Sequence, residues 1–137
     1  MTPEKIALVR SSWQQVLPIR DTAAQLFYGQ LFELDPSLRS LFKGDMIEQG
    51  RKLMAMINTV VNSLDKLGPI LGRIEEMGRG HVAYGVTEAH YDTVGSALIW
   101  TLDKGLREQF TPAVKDAWSE AYNTLASAMK HTAYTTA

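Results

Sequence analysis

Residues 77–91 read Met77-Gly78-Arg79-Gly80-His81-Val82-Ala83-Tyr84-Gly85-Val86-Thr87-Glu88-Ala89-His90-Tyr91, and the fold turns on where His81 points. Ile70, Ile74, Met77 and His81 follow one another at steps of four, three and four. That spacing sets His81 on the apolar stripe of a helix rather than on its wet side. An imidazole aimed into an apolar interior must occupy its second nitrogen, either with a hydrogen bond or with a metal. Taken alone, a single such histidine reads as a hydrogen-bonded core residue. Gly78 and Gly80 weaken any helix that contains them. Their cost is easier to understand if something large approaches the backbone there, a flat cofactor or another helix.

Working outward, the chain has 137 residues, enough for one domain with a real core. Its 45% apolar content argues against disorder. A net charge of -1 without any basic run gives no support for nucleic-acid binding. Cysteine is absent, which removes disulfides, thiolate nucleophiles and thiolate metal ligands together. No secretory signal and no membrane-spanning apolar stretch is evident, so a soluble cytoplasmic protein is expected, with no membrane partner.

Helices follow one another in order. Thr2-Pro3 reads as a cap with proline at the first helical position, and Ile6, Val9, Trp13 and Val16 recur on one face. Pro18 breaks that helix. Asp21 is expected to cap the next, which carries Ala24, Leu26, Phe27, Tyr28, Leu31 and Phe32. Asp35-Pro36 ends it and starts a short helical turn through Leu41-Phe42. Asp45 and Glu48 have capping-box spacing ahead of a long helix running to about Lys66. Its inner face is expected at Gln49, Leu53, Met56, Val60 and Leu64, or on a stripe rotated toward Ile57 and Val61. Gly68-Pro69 breaks it, and the His81 helix runs to about Gly85. Tyr91, Val94, Leu98 and Leu102 mark a further helix ending near Gly105. Thr111-Pro112 opens the last one, with Val114, Trp118, Ala121, Tyr122, Leu125 and Met129. The polar tail from about Thr132 is expected to fray. With no convincing strand and no repeat, the reading is all-α, seven or so unequal helices packed at steep angles around a pocket.

Taken in order, several residues resemble the globin family over about residues 4 to 130. They are Trp13, Leu31-Phe32, Pro36 with Phe42, Gly44 through Met54 with Arg51-Lys52, Gly78-Arg79-Gly80-His81, Tyr84-Gly85-Val86, Tyr91 with Val94-Gly95, and Trp118 with Tyr122. Within globins the chain is similar to the single-domain bacterial haemoglobins of the flavohaemoglobin and neuroglobin-like class. Globins are the standing example of steep helix packing, so the architecture rests on the resemblance as much as on the helix pattern. The resemblance implies one globin domain over 1–137 and a haem b, iron protoporphyrin IX, held without covalent links. His81 matches the proximal iron ligand. Tyr91 falls where flavohaemoglobins carry a proximal tyrosine; it either joins that network or is a core tyrosine bonded to a backbone carbonyl. The carboxylate that completes the network has no counterpart in His131-Thr132-Ala133. That argues against a strong electron push to iron and peroxidase-like chemistry.

On the opposite, distal side the family position falls on Gln49, with Leu53 one turn on walling the pocket and Tyr28 pointing inward from the second helix. A phenol and an amide aimed at bound dioxygen, which carries partial negative charge, are expected to contribute about 1.5–3 kcal/mol, roughly ten- to a hundredfold in dissociation rate. Gln49 is otherwise a surface residue, and Tyr28 a core one. Phe42 matches the haem-packing phenylalanine. Lys52 either reaches a haem propionate or is a solvated charge. Val86 and Val94 line the pocket, while His90 and His131 are surface or rim residues. The implied function is reversible binding of dioxygen, carbon monoxide and nitric oxide. Nitric oxide dioxygenation is the reaction to consider, and without a reductase domain in the chain it would need a separate reductase, so enzyme status stays open. A gas sensor acting through a partner protein is the alternative.

Overall fold

The computed structural model describes residues 1–42, 44–66, 74, 76 and 88–135; at 88 and beyond 127 it describes the backbone alone. Five α-helices lie within these residues: α1 (Pro3–Val16), α2 (Arg20–Leu34), α3 (Met46–Asn62), α4 (Glu88–Leu106) and α5 (Pro112–Thr135). Short 3-10 turns at Leu17–Ile19, Pro36–Leu41 and Arg107–Gln109 join them. The chain is all-helical within these residues, as the sequence implies. His81, Val86, and the expected breaks and helix between Gly68 and Gly85 lie outside the described residues, apart from Ile74, which is helical and buried, and Glu76.

The helix starts follow from local chemistry. Thr2 Oγ1 accepts from the Lys5 N–H at 3.2 Å, and Thr111 Oγ1 accepts from the Val114 N–H at 3.2 Å, each just ahead of a proline. Asp45 caps α3, but its carboxylate accepts from the Ile47 N–H at 2.9 Å rather than from Glu48. Asp21 caps nothing. The turn after Pro18 runs directly into α2, whose cap position is Ile19 without a side-chain bond. Asp21 therefore sits in the first turn, where its charge still suits the helix dipole.

Helix ends depart from expectation in two places. α3 stops at Asn62, four residues short of Lys66, with Ser63 at φ -112° and ψ 8°. Arg10 of α1 takes up its terminal carbonyls, donating to Val61 O at 3.2 Å and Asn62 O at 3.0 Å, and pairs with Asp65 at 2.8 Å. α4 ends at Leu106, beside Gly105 as expected, and the left-handed residue is Arg107, at φ 53°. α5 continues past Thr132 to Thr135, since no proline or glycine after Pro112 interrupts it.

Two apolar clusters fill the interior. The larger gathers α1, α3, α4 and α5 around Trp13, Val61, Leu102 and Trp118, and takes in Ala23 and Ala24 of α2. The smaller gathers Phe27, Tyr28, Leu31, Leu38 and Ala97. Leu53 of α3 and Leu98 of α4 touch both. The buried residues of α3 are Gly50, Met54, Val60 and Val61, so both expected stripes contribute, Val60 with Leu64 just past the helix from one and Val61 from the other, while Gln49 and Leu53 are partly buried.

The tryptophans tie α1 to its neighbours with satisfied indoles. Trp13 Nε1 donates to Asn58 Oδ1 at 2.9 Å, and Trp118 Nε1 donates to Ser12 Oγ at 2.8 Å. Their rings lie 6.0 Å apart and tilted by 58°. Ser12 is buried and passes its own proton to Leu8 O at 2.7 Å. Ser12→Ala is therefore expected to leave a buried indole N–H unpaired and to cost about 1–3 kcal/mol in urea denaturation. A loss below about 0.5 kcal/mol would show that the indole finds another partner.

Candidate functional site

The site is built where α2 crosses α3. At Gly50 a Cβ would lie 2.9 Å from the Ala24 Cβ, closer than side chains approach. The Ala24 methyl is fixed to its helix and cannot swing aside, so only glycine at 50 allows this crossing. The neighbouring residues on the two helices then meet. Tyr28, one turn beyond Ala24, is buried, and Gln49, next to Gly50, is partly buried.

Burial pushes the Tyr28 phenol above its usual value of 10.0, and the Gln49 side chain beside it draws it part of the way back. The Tyr28 hydroxyl can donate its proton to a neighbouring acceptor. It stays neutral through the physiological range.

Aromatic rings hold Tyr28 in place. Phe27 meets it edge-on at 5.1 Å, Phe42 edge-on at 5.3 Å, and Phe32 stacks at 6.0 Å. Phe42 in turn meets Phe32 at 5.5 Å. Arg39 secures this corner: its guanidinium carbon lies 5.6 Å from the Phe32 ring centroid, and Nη1 donates to Phe42 O at 2.9 Å. Phe32, Phe42, Met46, Leu53, Val94 and Leu98 are large apolar side chains, only partly buried, packed against the Tyr28 cluster.

Of the residues singled out from sequence, Tyr28, Phe42, Leu53 and Val94 share this cluster, and Gln49 lies beside Tyr28. Lys52 is exposed, one residue from Leu53. Tyr91 is buried in α4, and its backbone carbonyl accepts from the Tyr122 hydroxyl at 2.6 Å. His90 is half-buried, its Nε2 4.0 Å from Asp35 Oδ2. Gly50 and Arg39 were not singled out. A glycine in mid-helix beside Gln49 was the available signal for the first; Arg39 gives none in sequence.

Chemically this is a buried hydroxyl beside a partly buried amide, rimmed by partly buried aromatic and aliphatic side chains. Such a lining suits a flat, mostly apolar cofactor that leaves one small polar ligand facing the two donors. The described residues thus fit the gas-binding face of a haem. A groove of about 540 Å³ on another surface, between α4 and α5, is lined by Asp92, Trp100, Lys115 and Tyr122 and includes none of these donors. No helix among the described residues is long and apolar enough to cross a membrane.

A protein-family model described as Globin matches residues 25–129. Neuroglobin of Danio rerio is 30% identical over 136 residues, covering 89% of this chain and 86% of its own length. The anaerobic nitrite reductase NSHB5 of Oryza sativa subsp. indica is 31% identical over 131 residues, covering 90% and 89%. Neuroglobin of Chaenocephalus aceratus is 28% identical, covering 89% and 86%.

The crossing makes a prediction that runs against helix propensity. Gly50→Ala gains up to about 1 kcal/mol of helix propensity in an uncrowded helix. Here it is expected to destabilise by about 1–3 kcal/mol, because the two helices must separate. Urea denaturation of Gly50→Ala and of the double variant with Ala24→Gly checks this: the second change should restore most of the loss. A Gly50→Ala variant more stable than wild type would show that the helices do not cross this closely.

Proposed function

Because the chain belongs to the globin family, we propose that it binds haem b and, through it, dioxygen, carbon monoxide and nitric oxide reversibly, with Tyr28 and Gln49 holding the gas. The observation that carries this reading is the buried Tyr28 hydroxyl, with the Gln49 side chain beside it, inside an apolar lining. A bound haem supplies the iron to which a diatomic gas attaches. We assign His81 as its iron ligand, with Phe42, Leu53, Val86, Tyr91 and Val94 packing on it and Lys52 at its rim.

The chain's own residues set the affinity. Tyr28 donates its proton toward the gas, and the Gln49 amide beside it offers a second donor. Phe32, Phe42 and Leu53 keep water from competing for it. A polar ligand such as dioxygen gains from this; carbon monoxide, which draws less on a donor, gains little. The tyrosine–glutamine pair supports placing the chain with the bacterial haemoglobins of the flavohaemoglobin class.

Turnover is a further reading. Nitric oxide dioxygenation converts nitric oxide, dioxygen and one electron into nitrate, and so calls for a separate reductase. The rice relative is named a nitrite reductase. Nitrite is a small anion that would take hydrogen bonds from the same two donors, and its reduction to nitric oxide and water consumes one electron and two protons.

Stopped-flow release of dioxygen from the haem-loaded protein tests the proposal. Tyr28→Phe should speed release roughly ten- to a hundredfold, as expected for loss of about 1.5–3 kcal/mol. Carbon monoxide release should change much less. Since burial raises the Tyr28 pKa, the hydroxyl keeps its proton below pH 10, and the wild-type rate should be flat from about pH 6 to 9. An unchanged dioxygen rate in Tyr28→Phe would remove the residue from gas binding.

A further inference from the structure

We propose that Tyr122 is a positioning residue for Tyr91, setting how α4 presents that side chain to the haem; this rests on the reading above that Tyr91 packs on the haem. The geometry is local and closely fitted. In the ladder of α4 the Tyr91 carbonyl pairs with the N–H four residues on, that of Gly95. A carbonyl has a second lone pair. The Tyr122 hydroxyl, from α5, takes it at 2.6 Å.

Reaching that carbonyl requires the Tyr122 ring to pass over residue 95. A Cβ there would lie 2.8 Å from Tyr122 Cε2 and 3.1 Å from Cδ2. Gly95 is thus the opening through which Tyr122 reaches the backbone of α4. The hydroxyl remains a donor at any pH the protein meets, because burial, with Tyr91 and Asp92 adding to it, holds its pKa well above the usual tyrosine value. Tyr91 is the fourth residue of α4 and is itself buried. A bond from another helix at this point therefore fixes where the Tyr91 side chain sits, while the outer side of Tyr122 borders the groove between α4 and α5.

The test uses the haem-loaded protein as wild type, Tyr122→Phe, Tyr91→Phe and the double variant. Two quantities are read: the rate of haem transfer to an excess of a haem-free acceptor globin, and the iron–histidine band in the ferrous resonance Raman spectrum. Tyr122→Phe keeps the ring and removes only the bond. It should raise haem loss several-fold and shift or broaden the band, and Gly95→Ala should do the same. In the Tyr91→Phe background, Tyr122→Phe should add nothing to the band change. A Tyr122→Phe protein with a lowered Tm but wild-type haem loss and band would overturn the proposal, leaving a structural bond only. Additive band changes would overturn it too, by showing that Tyr122 acts independently of Tyr91. A wild-type band in Tyr91→Phe would overturn it in a different way, by removing Tyr91 from the haem site while gas binding at Tyr28 stands.

Discussion

The contact between α2 and α3 at Ala24 and Gly50 is what the rest of the site depends on. Helices whose axes pass this closely need a residue without a Cβ at the crossing, and α3 supplies it at Gly50. Everything polar in the site follows from that approach. Tyr28 lies one turn along α2 and Gln49 one residue along α3, so the closeness of two backbones becomes the closeness of two hydrogen-bonding groups. Neither group would be effective alone: a buried phenol without a partner is costly, and a surface amide has water to compete with.

The two apolar clusters divide the work between holding the fold and shaping the site. The larger, with its paired tryptophans and satisfied indoles, fixes α1 against α3 and α5. The smaller is mainly aromatic and carries Tyr28. Leu53 and Leu98 belong to both, so the site is backed by the main core rather than resting on a loop. Arg39 braces the corner that carries Phe42, and Tyr122 braces the start of α4. Buried side chains thus set the position of Tyr28, while polar contacts to backbone carbonyls set the chain around it.

Much of the fold could be read from the sequence, because its signals are local. Thr2-Pro3, Asp35-Pro36 and Thr111-Pro112 each carry a capping oxygen beside a residue that can only begin a helix, and each begins one. Where a boundary depends on another part of the chain, the sequence fails. α3 stops at Asn62 because Arg10 takes its carbonyls, and nothing near Lys66 encodes that. Asp21 reads as a cap, but whether a cap is needed depends on the path out of the preceding turn. For the site, spacing put Tyr28, Gln49 and Leu53 in view only once the globin resemblance was recognised. The registers that join them, Gly50 against Ala24 and Tyr122 over Gly95, are tertiary facts with no periodicity of their own.

The central claim, that this arrangement surrounds a haem held by His81, is tested most directly by the visible absorption spectrum of the purified protein. It should be recorded as isolated, after dithionite, and after carbon monoxide. The account predicts a Soret band that shifts sharply with carbon monoxide and is lost in His81→Ala unless imidazole is supplied. No Soret band, even after haem is added, would contradict it and return His81 to a core histidine in a globin fold without the cofactor.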